Sequence, residues 1–145
     1  MAAGLLLAAG EGRRFGMPKA LAERDGRRWV DLALDVLRAG GCDPLVVVLG
    51  AAADEVRRVA TLDGALIAVN QDWAEGIGSS LRTGLDALAG SPADAAVVLL
   101  VDTPGITPAA VRRVAAGAAA DTLAIATYAG RDGHPVLLGR AHWPG

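Results

Sequence analysis

Aromatic side chains are scarce in this 145-residue sequence, with three Trp, one Tyr and one Phe, and cysteine occurs once. Cys42 has no second thiol to pair with inside the chain, and its place on an expected helix-to-strand turn reads as structural. No block of Lys and Arg stands out, and the formal charge is -2. Without a basic stripe there is nothing to release counterions from a polyanion, so no nucleic-acid partner is expected. No apolar run approaches the ~20 residues that span a bilayer, and the opening MAAGLLLAAG lacks the basic flank of a signal peptide. The expected compartment is the cytoplasm. His134 and His142 are too far apart and too poorly accompanied for a zinc site, and no Ser or Cys sits in a nucleophile elbow, so covalent acyl chemistry has no support. There is no internal repeat, and no low-complexity linker beyond an Ala-rich helix from Ala115 to Ala120.

What the chain has in abundance is small and branched apolar side chains: hydrophobic residues make up 52% of it. That is enough for one well-packed core and, at this length, one domain spanning 1–145. Ala3 to Ala9 is a continuous apolar run ended by Gly10, the mark of a parallel strand buried on both faces. Gly10 to Pro18 is loop, because its glycines and Pro18 oppose a helix. Apolar residues from Trp29 to Leu37 then recur at helical spacing and stop at Gly40-Gly41. Further strands are expected from Leu45 to Leu49, Ala65 to Val69, Ala95 to Val101 and Leu123 to Tyr128. Between them fall a short helix from Ala53 to Ala60 and a helix from Ser79 to Leu88 with Leu81, Leu85 and Leu88 on one face. Another helix is capped by Thr107, starts at Pro108 and runs through Ala116. A last extended piece covers Pro135 to Leu138. Strands alternating with helices predict an α/β fold, an open, doubly wound, mostly parallel sheet that binds ligands at the C-terminal ends of its strands.

Two motifs fall at such ends. LLLAAGEGRRFGMPKAL joins a strand end to Gly10, Gly12 and Gly16, two arginines and Lys19. Backbone N–H groups free of side-chain bulk can approach phosphate oxygens, and Arg14 and Lys19 supply the compensating charge, which suits a nucleoside triphosphate. No GxxxxGK[ST] can be aligned, so this is not a P-loop. The NAD-type dinucleotide fingerprint is disfavoured by Phe15, by Pro18 and by the missing ribose acid after Leu49-Gly50. In VVLLVDTPG, Asp102 leaves a buried strand where a hard divalent cation, Mg²⁺, would bridge protein and phosphate; alternatively it caps a turn. A third stretch, NQDWAEGIGSSLRTGL, sets Gly76, Gly78, Ser79 and Ser80 at a helix N-terminus, where Ser79 also reads as a plain N-cap and Trp73 as core packing.

In this order, LAAGEGRRFGMPKAL, NQDWAEGIGSSLRTGL, LLVDTPG and DGHPVLLGR resemble the MobA-like nucleotidyltransferases, most closely the molybdenum cofactor cytidylyltransferases, over essentially the whole chain. Against that family's LAAGxSxRMGxPKxL, Gly12 replaces Ser and Phe15 replaces Met; neither removes a charge. The resemblance implies a three-layer, Rossmann-like nucleotidyltransferase fold and attack of a phosphorylated acceptor, a molybdopterin-type molybdenum cofactor, on the α-phosphorus of CTP, expelling pyrophosphate. It implies catalytic roles for Arg14, Lys19 and Asp102, with Asp102 on Mg²⁺. It further implies nucleotide contacts from Leu7, Ala8, Ala9, Gly10, Gly12, Gly16, Asn70, Gly76 and Ser80, and acceptor contacts from Gly133, His134 and Pro135. LAAG in place of LAGG goes with cytosine. The family pattern continues into a GDxG element with a second acidic metal contact, a segment that the 145 residues do not contain. Two other readings remain open: transfer to another phosphorylated small molecule such as a sugar phosphate, and a nucleotide- or cofactor-binding module without turnover.

Overall fold

A computed structural model describes residues 2–8, 23–24, 27–50, 64–72, 77–100, 107–116, 123–128, 131–139 and 143, with 23–24, 27–29, 77, 123–128 and 131–136 described by their backbone. In chain order the elements are β1 (Ala2–Ala8), β2 (Glu23–Arg24), β3 (Arg27–Arg28), α1 (Trp29–Ala39), β4 (Leu45–Leu49) and β5 (Ala65–Val69). There follow α2 (Ile77–Leu88), β6 (Ala95–Leu100), α3 (Pro108–Ala115), β7 (Leu123–Tyr128) and β8 (Arg131–Gly139). The sequence expects each of these except the two-residue pair β2 and β3. The expected helix from Ala53 to Ala60, Ala9 at the end of the first strand, and Val101 lie outside the described residues.

Six strands form one sheet in the order β5-β4-β1-β6-β8-β7. Parallel ladders join β5 to β4, β4 to β1 and β1 to β6. Antiparallel ladders join β6 to β8 and β8 to β7, so β8 alone runs against the rest. The mostly parallel, doubly wound sheet predicted from the strand and helix alternation is the one observed. Continuous apolar runs become strands here because both faces are covered: every residue of β1 and β4 is buried. On one face Leu6, Val47 and Val97 meet Val30, Leu34 and Leu37 of α1 and Val111 of α3. On the other, Leu5, Val48 and Val98 meet Leu85 and Leu88 of α2. Fully burying a Leu or Val side chain contributes about 1.5–3 kcal/mol, so these two clusters hold the layers together. α2 lies close enough that a Cβ on Gly84 would stand 2.3 Å from Leu5 Cδ1, which offsets the propensity cost of glycine inside a helix.

The placement of the helices follows from the strand order. The chain steps from β1 to β4 in one direction with α1 on one face, then returns from β5 to β6 with α2 on the other, as two connections of one hand require. The step from β6 to β7 continues the same way as β5 to β6, yet α3 packs beside α1. That crossover therefore has the opposite hand, and β8 fills the gap it leaves between β6 and β7.

α1 ends as its sequence predicts. The Gly41 N–H donates to the Arg38 carbonyl (3.0 Å) and the Cys42 N–H to the Leu37 carbonyl (3.1 Å), a Schellman turn closed by Gly41 at φ +91°. Gly40 serves packing instead: a Cβ there would lie 2.3 Å from Val111 Cγ1. α3 starts at Pro108, with Thr107 Oγ1 accepting from the Ala110 N–H at 3.2 Å. Among the described residues no helix is long and apolar enough to cross a membrane.

Candidate nucleotide site at the C-terminal edge of the sheet

The chain runs outward from β1 through β4 to β5, then crosses back to place β6 on the far side of β1. The strand order therefore reverses between β1 and β6, where Leu7 pairs with Leu100. In open α/β sheets the crevice outside the strand ends at such a reversal is where ligands bind. Gly10 follows the last residue of β1 by two positions, and Asp102 follows the last residue of β6 by two. Arg14, Lys19, Asp102, Ala9, Gly10, Gly12, Gly16, Gly76 and Trp73 themselves lie outside the described residues.

Leu7 and Ala8 end β1 with their side chains buried, Leu7 toward α2 and Ala8 toward α1. Both side chains are committed to the core, so what the end of β1 offers a ligand is backbone.

A polar cluster stands at the same edge of the sheet. Asn70 follows β5, is 4% exposed, and donates its backbone N–H to the Leu49 carbonyl at 2.7 Å, extending the β4–β5 ladder by one rung. Its Nδ2 donates to Ser79 Oγ and Ser80 Oγ, both at 3.0 Å, and its Oδ1 accepts from the Asp72 N–H at 2.9 Å. The first turn of α2 is thereby tied to the end of β5. The helix starts at Ile77, two residues before the expected start at Ser79, so Ser79 is the third helical residue and not the N-cap: its hydroxyl has the Asn70 Oδ1 at 3.3 Å and the Asp72 carbonyl at 3.4 Å. Asn70 and Ser80, chosen from the sequence, are brought together; Ser79 joins them, and the GSS run was the signal for it.

Gly133, His134 and Pro135 also reach this edge. Gly133 pairs with Ala126 and Val136 with Ile125, so two residues of β8, His134 and Pro135, bulge from the ladder with β7. Pro135 has no N–H to give a ladder, which is why the strand breaks register there. On the β6 side pairing stops at Val98 and Val136, and because β8 runs against β6 the bulge lies toward the C-terminal ends of the parallel strands. The extended piece expected from Pro135 to Leu138 is thus the second half of a longer strand, and the GHP run forms its bend.

Cys42 is buried at the opposite edge, where desolvation raises its thiol from 9.0 to about 11. That keeps it protonated and inert, as a structural thiol should be.

A mostly parallel α/β sheet whose strand order reverses between β1 and β6 is the frame of a nucleotide-handling domain. The MobA-like NTP transferase domain family matches residues 4–145, and the chain belongs to that family of nucleotidyltransferases. It is similar to the nicotine blue oxidoreductase of Paenarthrobacter nicotinovorans, 41% identical over 140 residues that make up 96% of this chain and 67% of that protein. It is 32% identical to the bifunctional protein GlmU of Trichlorobacter lovleyi over 142 residues, 97% of this chain but only 31% of that protein. Its structure superposes on Rv0371c of Mycobacterium tuberculosis H37Rv with a TM-score of 0.86 and 34% identity, covering 99% of this chain and 73% of the other. Rv0371c has also been solved in complex with manganese.

Proposed function

We propose that this chain transfers CMP from CTP to a phosphorylated acceptor of the molybdopterin cofactor type, in the cytoplasm. The observation that carries the reading is the reversal of strand order between β1 and β6, from which the Gly10–Lys19 stretch and the Asp102 stretch both start. In the reaction an acceptor phosphate oxygen forms a bond to the α-phosphorus of the triphosphate. The bond between that phosphorus and the bridging oxygen breaks, and pyrophosphate leaves with the electron pair. A phosphate monoester is already ionised at neutral pH, so no catalytic base is needed and His134 serves as an acceptor contact only. The work is positioning two anions and spreading their charge. Arg14 and the loop amides hold the β- and γ-phosphates, Lys19 meets charge growing on the α-phosphoryl group, and Ser80 with the backbone of Leu7 to Gly10 faces the nucleoside.

The carboxylate of Asp102 is a hard oxygen donor of the kind Mg²⁺ prefers, and the manganese complex of Rv0371c supports a divalent cation in this fold. When bound, such an ion neutralises phosphate charge and aligns the reacting groups. Asp102→Asn removes the anionic donor, so metal titrations of nucleotide binding should differ between the variant and the parent; superimposable titrations would assign Asp102 to the turn.

A second reading is favoured by one finding, the 41% identity to a protein named as an oxidoreductase. In that case the same edge of the sheet would hold a nicotinamide dinucleotide. Calorimetric titration with CTP, GTP, ATP and NADH, with and without Mg²⁺, separates the two. Tightest binding of CTP, dependent on Mg²⁺, supports cytidylyl transfer; NADH binding more tightly than any triphosphate supports the oxidoreductase.

A further inference from the structure

We infer that Asn70 positions the nucleotide site without touching the nucleotide, by setting the direction in which the Ser80 hydroxyl donates. The inference rests on the nucleotide-binding reading above. A side-chain amide has two N–H donors and a carbonyl with two acceptor sites. In Asn70 both donors are taken by Ser79 Oγ and Ser80 Oγ, and the carbonyl accepts from the Asp72 N–H and faces the Ser79 hydroxyl. The Asp72 N–H also fixes which end of the amide is oxygen, since a flipped amide would set two donors against each other. Asn70 therefore has nothing left to offer a ligand.

Its effect passes to the serines. Because each serine oxygen accepts from Asn70, each hydroxyl proton is turned elsewhere. Ser79 finds acceptors in Asn70 Oδ1 and the Asp72 carbonyl. Ser80 is 4% exposed and its proton has no acceptor among the described residues. A buried donor left unmet costs stability, and such exceptions call for a reason. At the end of β5, on the ligand-binding edge of the sheet, the reason is an oxygen of the nucleotide: a ribose hydroxyl, a base carbonyl or a phosphate oxygen. Asn70 holds the donor ready; Ser80 makes the contact.

A double-mutant cycle tests this. Asn70→Asp keeps the side-chain shape but can only accept, so both serine protons turn inward toward the new carboxylate. Ser80→Ala deletes the contact. Each should raise the nucleotide Kd and KM roughly three- to tenfold, the value of one neutral hydrogen bond, with kcat little changed. The pair together should weaken binding no further than either alone. Additive losses would mean that the carboxylate acts by repelling phosphate or by loosening the fold, and would overturn the inference, as would unchanged affinity in Ser80→Ala. The cycle is run with whichever of CTP, GTP, ATP and NADH the wild type binds most tightly. NADH as the best ligand overturns cytidylyl transfer while the cycle still decides the role of Asn70; binding of none of the four overturns both.

Discussion

At the N-terminal edge of the sheet, α1 ends in a Schellman turn, the Asp43 N–H donates to the Ala2 carbonyl at 3.0 Å and the Gly4 N–H to the Pro44 carbonyl at 2.8 Å. Arg112 reaches over from α3 to donate to the Ala39 carbonyl at 2.9 Å, satisfying one of the acceptors that every helix leaves bare at its end. At the C-terminal edge, α2 begins on side-chain hydroxyls held by a buried amide, and one hydroxyl proton is left over. The first edge is sealed by backbone and close packing. The second is organised by side chains, one of which can donate outward, so the closed and the open polar groups of this domain stand at opposite ends of the same strands, the open ones where the proposed function puts the nucleotide.

Variants can break or sharpen that contrast. The largest effect is expected at the ligand edge, from Lys19→Ala. Removing one charged donor from a transition state costs about 100-fold or more, so kcat/KM for transfer should fall by at least that while the urea midpoint stays put. A variant with full activity would remove Lys19 from the mechanism. Next comes Gly40→Ala at the sealed edge. The added methyl meets Val111, which is fully buried and cannot move aside, so unfolding in urea should become about 1–3 kcal/mol easier with nucleotide Kd unchanged. Loss of affinity in this variant would erase the division between the edges.

A smaller effect should appear in alkali. The Cys42 thiol is raised to about 11 by burial, against 9.0 unburied. The unfolded chain therefore ionises first, so the contribution is complete below pH 9 and is lost as pH rises toward 11. By pH 10 the loss is about 1 kcal/mol relative to Cys42→Ala, and an identical pH profile in the two proteins would rule it out. Smallest is Arg112→Ala, which uncaps the Ala39 carbonyl at an exposed position and should cost about 0.5–1 kcal/mol in the same urea titration.

Much of this fold is written locally. β4, β5 and β7 begin and end where expected, and for β4 the reason is local: a strand buried on both faces needs every side chain to be apolar. The Gly40-Gly41 pair marks the end of α1 for the same local reason. What was not legible depends on partners far along the chain. The length and direction of β8 come from its pairing with β6 on one half and β7 on the other, and no periodicity reports the sense of a strand. Nor does the pattern of α3 say on which face it packs. The motif residues Asn70, Ser80 and Gly133 to Pro135 reach one edge of the sheet. That the Asn70 amide is saturated could not be read in advance, since its partners lie nine and ten positions later in a helix whose start was expected two residues further on. Charge and glycine content pointed to Arg14, Lys19 and Asp102 through chemistry alone, without reference to packing.

The order of the strands also bears on how the chain is made. β1 is synthesised before both of its partners and sits inside the sheet, with Gly4 beside Leu45 on one flank and Ala2 beside Ala95 on the other. Its second ladder cannot close until about two thirds of the chain is available, and long-range parallel pairing of this kind is slow. Until then one side of β1 is an unpaired strand edge lined with Ala and Leu, the sort of surface that recruits other chains. Nascent chains stopped before residue 95 should therefore aggregate, and those extended past residue 139, where β8 has covered the free side of β6, should stay in solution.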